Sequence, residues 1–280
     1  MIKTIAVVGA GTMGSGIAQV AAQSGHPVIL FDLEKEILEK AVISIKKSLQ
    51  YLADKKNISP EQQQQIFQHI LFTSNINDCI ADLIIEAIVE KAAAKIALFN
   101  QLATINASAT IFATNTSSIS ITEIQAAVVD PQRVVGMHFF NPAPTMKLIE
   151  IVRGHQTNDA TVQAIYSLCK FMNKTPVICK DAAGFIVNRI ARHYYLEAMM
   201  LVELGLATIE SADAVMEATG FKMGPFKLMD LIGLDINLAV SKSIYEAFDF
   251  EERFAPSALQ MDKVSKGELG RKTGKGFYNY

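Results

Sequence analysis

Residues 2–8 form a short apolar run rich in β-branched side chains that passes directly into Gly9-Ala10-Gly11-Thr12-Met13-Gly14. Few local patterns restrict a chain so strongly. Residues 15–24 carry the pattern of a helix, with Gly25 as its stop, and residues 28–31 form a second strand that ends at Asp32. A strand, a helix and a strand in so little chain predict a parallel βαβ unit. Within its turn, Gly9 permits the tight bend, Gly11 lets backbone approach a pyrophosphate and Gly14 lets the helix pack on the strand. The helix start adds N–H groups and a partial positive charge. Asp32 lies 21 residues after Gly11, close to the roughly 20 expected of an acid that bonds ribose hydroxyls. Its charge would repel a 2′-phosphate, and Leu33 and Glu34 follow with no arginine, so NAD is favoured over NADP. A tight turn that binds nothing is the alternative.

The alternation then continues with an insertion. Between about 36 and 55, apolar residues fall at Leu38, Val42, Ile45, Leu49 and Leu52, one stripe of a helix. Ser59-Pro60-Glu61-Gln62 reads as a capped helix start, and the second helix runs to about His69. The resulting hairpin, about 36–70, is too long for a simple crossover. Lys46, Lys47, Lys55 and Lys56 decorate it, either as a solvated face or as a basic arm for a phosphorylated handle. Strands are predicted at 83–85, 110–113, 133–137 and 175–179, with helices at 91–102, 120–128 and 162–172. Residues 114–118 follow a strand, where open α/β sheets collect ligands. After Lys180 only helical periodicity remains, with helices at 185–204, 211–220 and 228–248. The last is apolar over so much of its surface that it must be buried or paired with another chain. The fold expected is α/β: a Rossmann-type dinucleotide-binding domain with a helical hairpin insertion, residues 1–183, followed by an all-α domain, residues 184–280.

A second feature concerns chemistry. His138 ends an apolar run, a loop with two prolines follows, and Glu150 stands between Ile149 and Ile151. A charge inside an apolar strand needs a partner, and His138 is the candidate. A histidine held by a carboxylate can take and return a proton near neutral pH. A hydrogen-bonded loop histidine is the bland alternative. His26, His69, His155 and His193 read as surface or packing residues.

Composition excludes several classes. The net charge of −2 over 280 residues gives no general pull toward nucleic acid or an anionic membrane. No segment approaches about 18 uncharged apolar residues, so a soluble, cytoplasmic protein is expected. Cys79, Cys169 and Cys179 form no C-x-x-C pair and read as thiols of a reducing compartment. No His/Cys cluster suggests a metal.

These motifs resemble those of the L-3-hydroxyacyl-CoA dehydrogenases, and within them the compact bacterial 3-hydroxybutyryl-CoA dehydrogenases. The resemblance spans the chain. It rests on Val8–Gly14, Asn115-Thr116-Ser117-Ser118, His138-Phe139-Phe140-Asn141-Pro142, Gly184-Phe185-Ile186-Val187-Asn188-Arg189, Gly224-Pro225, residues 230–235 and Gly274-Lys275-Gly276-Phe277-Tyr278. It implies reversible oxidation of (S)-3-hydroxyacyl-CoA by NAD, with His138 as general base or acid and Glu150 orienting it. Ser117 and Asn188 would bond substrate oxygens or the imidazole, though each could simply cap a turn or helix. Glu90, Lys95, Asn115, Ser117, Asn141 and Lys275 are implied as further NAD contacts. The arm, with Lys46, Lys55 and Lys56, is implied to cover CoA, and a homodimer through the helical domain is expected. A dehydrogenase of a non-CoA hydroxy acid and a non-enzymatic dinucleotide-binding protein remain as rival readings.

Overall fold

The computed structural model describes residues 2–280, in two compact units that meet between Ala182 and Ala183. The first unit is built on one eight-stranded sheet: β1 (Ile5–Val8), β2 (Val28–Phe31), β3 (Ile70–Thr73), β4 (Leu83–Glu86), β5 (Ile111–Thr114), β6 (Val134–Phe139), β7 (Leu148–Arg153) and β8 (Thr175–Lys180). Their order is β3-β2-β1-β4-β5-β6-β7-β8. Strands β1 to β6 run parallel, β6 and β7 pair antiparallel, and β8 runs with β7. All four residues of β1, β4 and β5 are buried, as in a parallel sheet covered on both faces. The helices of this unit are α1 (Thr12–Gln23), α2 (Lys35–Asp54), α3 (Pro60–Gln68), α4 (Ala92–Ala103), α5 (Ile121–Gln125) and α6 (Asp159–Phe171). Ile17, Ala18 and Ala21 of α1 pack into the main core with Ile5, Val7 and Leu30.

The hairpin arm forms as its sequence predicts. In α2, Leu38, Ala41, Ile45 and Leu49 are buried. At the start of α3 the Ser59 hydroxyl accepts from the Gln62 N–H and the Gln62 side chain accepts from the Ser59 N–H, with Pro60 in the first turn. The arm returns through β3, a strand that periodicity does not reveal: four residues follow the helix at once and lie on an edge, paired to β2 only.

The second unit contains α7 (Val187–Glu203), α8 (Ile209–Ala218), α9 (Pro225–Ile232), α10 (Leu234–Ala247) and α11 (Ala258–Ser265). The continuous helix expected at 228–248 is instead two helices. Gly233 adopts φ +102 between α9 and α10, a conformation that α-helix geometry excludes and that glycine supplies without steric cost. Tyr195, Met199, Phe226, Met229 and Leu234 form this unit's apolar core. Two carboxylates organise it. Asp213 accepts from the Phe226 and Lys227 N–H groups and the Tyr278 hydroxyl, while Asp230 accepts from the Phe277 and Tyr278 N–H groups.

Candidate active site

The parallel run of β1, β2, β4, β5 and β6 brings their carboxyl ends to one edge of the sheet. The glycine turn follows β1, Asp32 follows β2, Glu90 follows β4, residues 115–118 follow β5, and His138 is the next-to-last residue of β6. Five groups that are distant in sequence thereby converge by topology.

The three glycines of the turn do different work. Gly9 has φ +99, and a Cβ on it would come within 2.6 Å of the Ala87 carbonyl oxygen. A Cβ on Gly14 would come within 1.7 Å of the Gly9 carbonyl oxygen. Both are required by the protein's own packing. Gly11 is not: it has no positive φ, and nothing lies within 4 Å of where its Cβ would stand. A bare backbone there is useful only to a ligand that comes close. Gly11 is also the N-cap of α1, which has no side-chain cap and no acid in its first turn. Its leading N–H groups suit a pyrophosphate. The Asp32 carboxylate is anchored by the Ala10 N–H at 2.7 Å and the Glu34 N–H at 3.1 Å, which holds it beside the turn. These residues fit NAD.

At the other end of the edge, β6 and β7 place His138 directly opposite Glu150. The His138 Nδ1 lies 2.7 Å from a Glu150 carboxylate oxygen, and both residues are buried, at 6% and 1% exposure. A cross-strand pair shares one face of the sheet, so the register itself delivers the contact. The Phe140 ring centroid lies 4.5 Å from that of the imidazole. The Asn115 side-chain oxygen accepts from the Phe139 N–H at 2.8 Å, which ties the end of β5 to the residue after His138.

Between these ends lies a polar cluster. Lys95 is buried, with its ammonium 2.6 Å from a Glu86 oxygen and 3.1 Å from a Glu90 oxygen. Glu86 also accepts from the Thr114 hydroxyl at 2.7 Å and the Ile88 N–H at 2.7 Å. Glu90 accepts from the Thr116 hydroxyl, the Ser117 N–H and the Ser118 hydroxyl. Burial pushes the Glu90 carboxyl up, but the Lys95 charge and the hydrogen bonds outweigh it and hold it below its ordinary range. Glu90 therefore fixes the backbone at Ser117, and Lys95 fixes Glu90. Thr114 and Thr116 fall in the segment marked at 114–118, whereas Glu86 is a member of the site that sequence reasoning passed over. The signal was present, since Glu86 follows the apolar residues 83–85 just as Glu150 follows Ile149.

The remaining expected residues are distributed as follows. Asn141 is exposed in the loop after β6. Lys46, Lys55 and Lys56 are all exposed on the arm. Lys46 stands over the Phe67 ring at 5.0 Å and lines, with Lys47, Gln50 and Gln63, a groove of about 570 Å³ between α2 and α3. Lys55 and Lys56 lie at the turn beyond α2, apart from that groove. Asn188 and Lys275 belong to the second unit: Asn188 is the second residue of α7 and half-buried, and Lys275 pairs with Glu268 at 2.6 Å. Burial raises all three thiols, Cys79, Cys169 and Cys179, to about 12, so none is a ready nucleophile.

The turn, Asp32 and the sheet order define the first unit as a Rossmann-type NAD-binding domain. Comparison with known families takes this further. The 3-hydroxyacyl-CoA dehydrogenase NAD-binding domain matches residues 4–182, and the C-terminal domain of the same family matches residues 184–280. The chain belongs to the 3-hydroxyacyl-CoA dehydrogenase family. It is 44% identical over 281 residues to the 3-hydroxyadipyl-CoA dehydrogenase of Escherichia coli (strain K12), covering 100% of this chain but only 59% of that protein. It is 41% identical over 288 residues to the mitochondrial hydroxyacyl-coenzyme A dehydrogenase of Rattus norvegicus, covering 92% of it. The crystal structure of (S)-3-hydroxybutyryl-CoA dehydrogenase from Ralstonia eutropha superimposes with a TM-score of 0.95 at 38% identity, covering 100% of this chain and 99% of that one. Among the described residues no helix is long and apolar enough to cross a membrane, and no group of three metal-ligating side chains occurs.

Proposed function

We propose that the protein is an NAD-dependent oxidoreductase that interconverts (S)-3-hydroxyacyl-CoA and 3-oxoacyl-CoA, with a short acyl chain such as 3-hydroxybutyryl-CoA. The observation that carries this is the buried contact of 2.7 Å between His138 and Glu150 on the same sheet edge as the glycine turn. Glu150 accepts from Nδ1–H and so assigns proton exchange to Nε2. In the oxidative direction Nε2 takes the proton of the substrate 3-hydroxyl as its O–H bond breaks and the carbonyl forms. Glu150 stabilises the imidazolium that results. NAD, when bound, supplies the hydride acceptor. In reverse, the imidazolium returns the proton to the ketone oxygen.

The other residues take supporting parts in this reading. Ser117 orients the substrate oxygen against the imidazole, and Asn115 and Asn141 contact the cofactor. Glu90 acts at the same place, and Lys95 acts through it. Asn188 and Lys275 are read from the family resemblance alone as further groups that bond substrate and cofactor. The exposed lysines Lys46, Lys55 and Lys56 hold the phosphates of CoA. The short chain is supported by the likeness to the Ralstonia eutropha enzyme, named for 3-hydroxybutyryl-CoA. Leu231 and Ile236 are both about half exposed, which supports pairing of the helical unit with a second copy. The three free cysteines support a cytoplasmic setting.

The test is steady-state kinetics with acetoacetyl-CoA, longer 3-oxoacyl-CoA thioesters, 3-oxoadipyl-CoA and free acetoacetate, using NADH and NADPH in turn. The expected result is turnover of the short thioester with NADH and loss of about 10²–10⁴ in rate in His138→Gln. Near wild-type turnover by that variant would remove the mechanism. Equal activity on the free acid would favour a substrate without CoA.

A further inference from the structure

Residues 140–147 join the strand of His138 to the strand of Glu150, and they are gripped from two sides. On one side a Cβ on Gly16 would stand 3.2 Å from the Ala143 Cβ and 3.2 Å from the Pro144 Cδ. The loop therefore rests on α1 just beyond the glycine turn. On the other side Lys174, the residue before β8, reaches in from the turn after α6. Its ammonium donates to the Ala143 carbonyl at 2.6 Å and the Met146 carbonyl at 2.7 Å. Within the loop, the Pro142 carbonyl accepts from the Thr145 and Met146 N–H groups. Asn173 makes the approach possible with φ +56, and the Thr175 N–H closes it on the Lys147 carbonyl at 2.8 Å.

Lys174 is 6% exposed. The titratable groups that act on it are Lys147 and the Cys169 thiol, with no carboxylate among them. Burial, and then the like charge of Lys147, bring its ammonium down to about 8. A buried cation answered by carbonyls alone is costly, and an apolar side chain of the same length would spare that cost. The one thing such a side chain could not do is bind two loop carbonyls at once.

We propose that Lys174 is a positioning residue: by clamping the Ala143 and Met146 carbonyls it fixes the loop that carries Phe140 against His138 and rests on the cofactor helix. The clamp sets the distance between imidazole and cofactor, and it rests on the reading of His138 as the proton-transfer group. Lys174 is buried and spends its ammonium on the loop carbonyls, so its part is to position other groups.

The test is Lys174→Met beside His138→Gln, assayed with acetoacetyl-CoA and NADH and checked for folding by near-UV circular dichroism. If Lys174→Met does not fold, Lys174→Gln takes its place. The expected result is a fall in kcat on the order of 10- to 100-fold, as for a catalytic group displaced by about 1 Å, with KM for both substrates within about threefold. A folded variant with wild-type kcat, or one altered only in KM, overturns the clamp. Activity retained by His138→Gln overturns the functional reading instead, so the two failures are distinct.

Discussion

Glu86 and Glu150 stand in two strands of the same sheet, Glu86 at the end of an apolar run and Glu150 inside one, each essentially without solvent exposure. Both are satisfied by a base: Glu86 by Lys95 at 2.6 Å, Glu150 by His138 at 2.7 Å. The geometry is nearly the same and the consequence differs. Lys95 holds Glu86 and Glu90 together as a point charge between two carboxylates, so the first pair is a strut. An imidazole is the side chain suited to proton exchange, which is the part proposed above for the second pair. In that reading, what separates scaffold from chemistry is the identity of the partner, not burial or distance.

Breaking the strut should give the largest effect. Lys95→Met leaves Glu86 buried without its cation and is expected to cost about 3–5 kcal/mol of stability, read by urea unfolding. A cost under about 1 kcal/mol would mean that Glu86 finds another partner and that the two pairs are not alike. Glu150→Gln keeps shape and an acceptor but removes the charge. It should cost about 1.5–3 kcal/mol of transition-state stabilisation, a fall in kcat on the order of 10- to 100-fold, with unfolding little changed. If unfolding moves as much as for Lys95→Met, the second pair is a strut as well.

The glycine turn offers a milder contrast of the same kind. Gly14→Ala meets the Gly9 carbonyl and should cost about 1–3 kcal/mol of stability as the backbone shifts to relieve the contact. Gly11→Ala meets no atom of the protein. It should leave the melting temperature unchanged and raise KM for NAD about tenfold, equivalent to about 1.4 kcal/mol. Unchanged KM would mean that nothing approaches that backbone.

The smallest effect concerns pH. Lys174 holds its proton up to about pH 8 in the folded protein and up to its ordinary value of 10.5 when unfolded. Between those values unfolding takes up a proton, so this group's contribution to stability rises with pH and is flat below 8. Melting temperature measured from pH 7 to 10 should lose that rising component in Lys174→Met. Identical slopes in the two proteins would show that the ammonium is not held low.

The contrast between the pairs also marks what can be read without a structure. The His138–Glu150 contact was legible because a lone charge between Ile149 and Ile151 demands a partner and a histidine lies one hairpin away. The same reasoning reaches Glu86, but its partners come from α4 and β5, and nothing along the chain indicates which helix or neighbouring strand will supply them. Lys174 is harder still, because an isolated lysine before a strand reads as solvated surface. The edge strand β3 and the break at Gly233 escape for a local reason: four residues give no period, and one glycine within an apolar helical pattern is tolerated as often as it interrupts.

By itself the sequence determined the glycine turn, Asp32, the capped hairpin arm and the partnership of His138 with Glu150, because spacing, capping and charge within an apolar run act over short distances along the chain. Only the tertiary structure decided that Lys95 serves Glu86 and Glu90, that Asn115 holds the residue beside His138, and that Lys174 closes on the loop between them. Those contacts depend on which strands become neighbours, and strand order follows from the packing of the whole sheet rather than from any one segment.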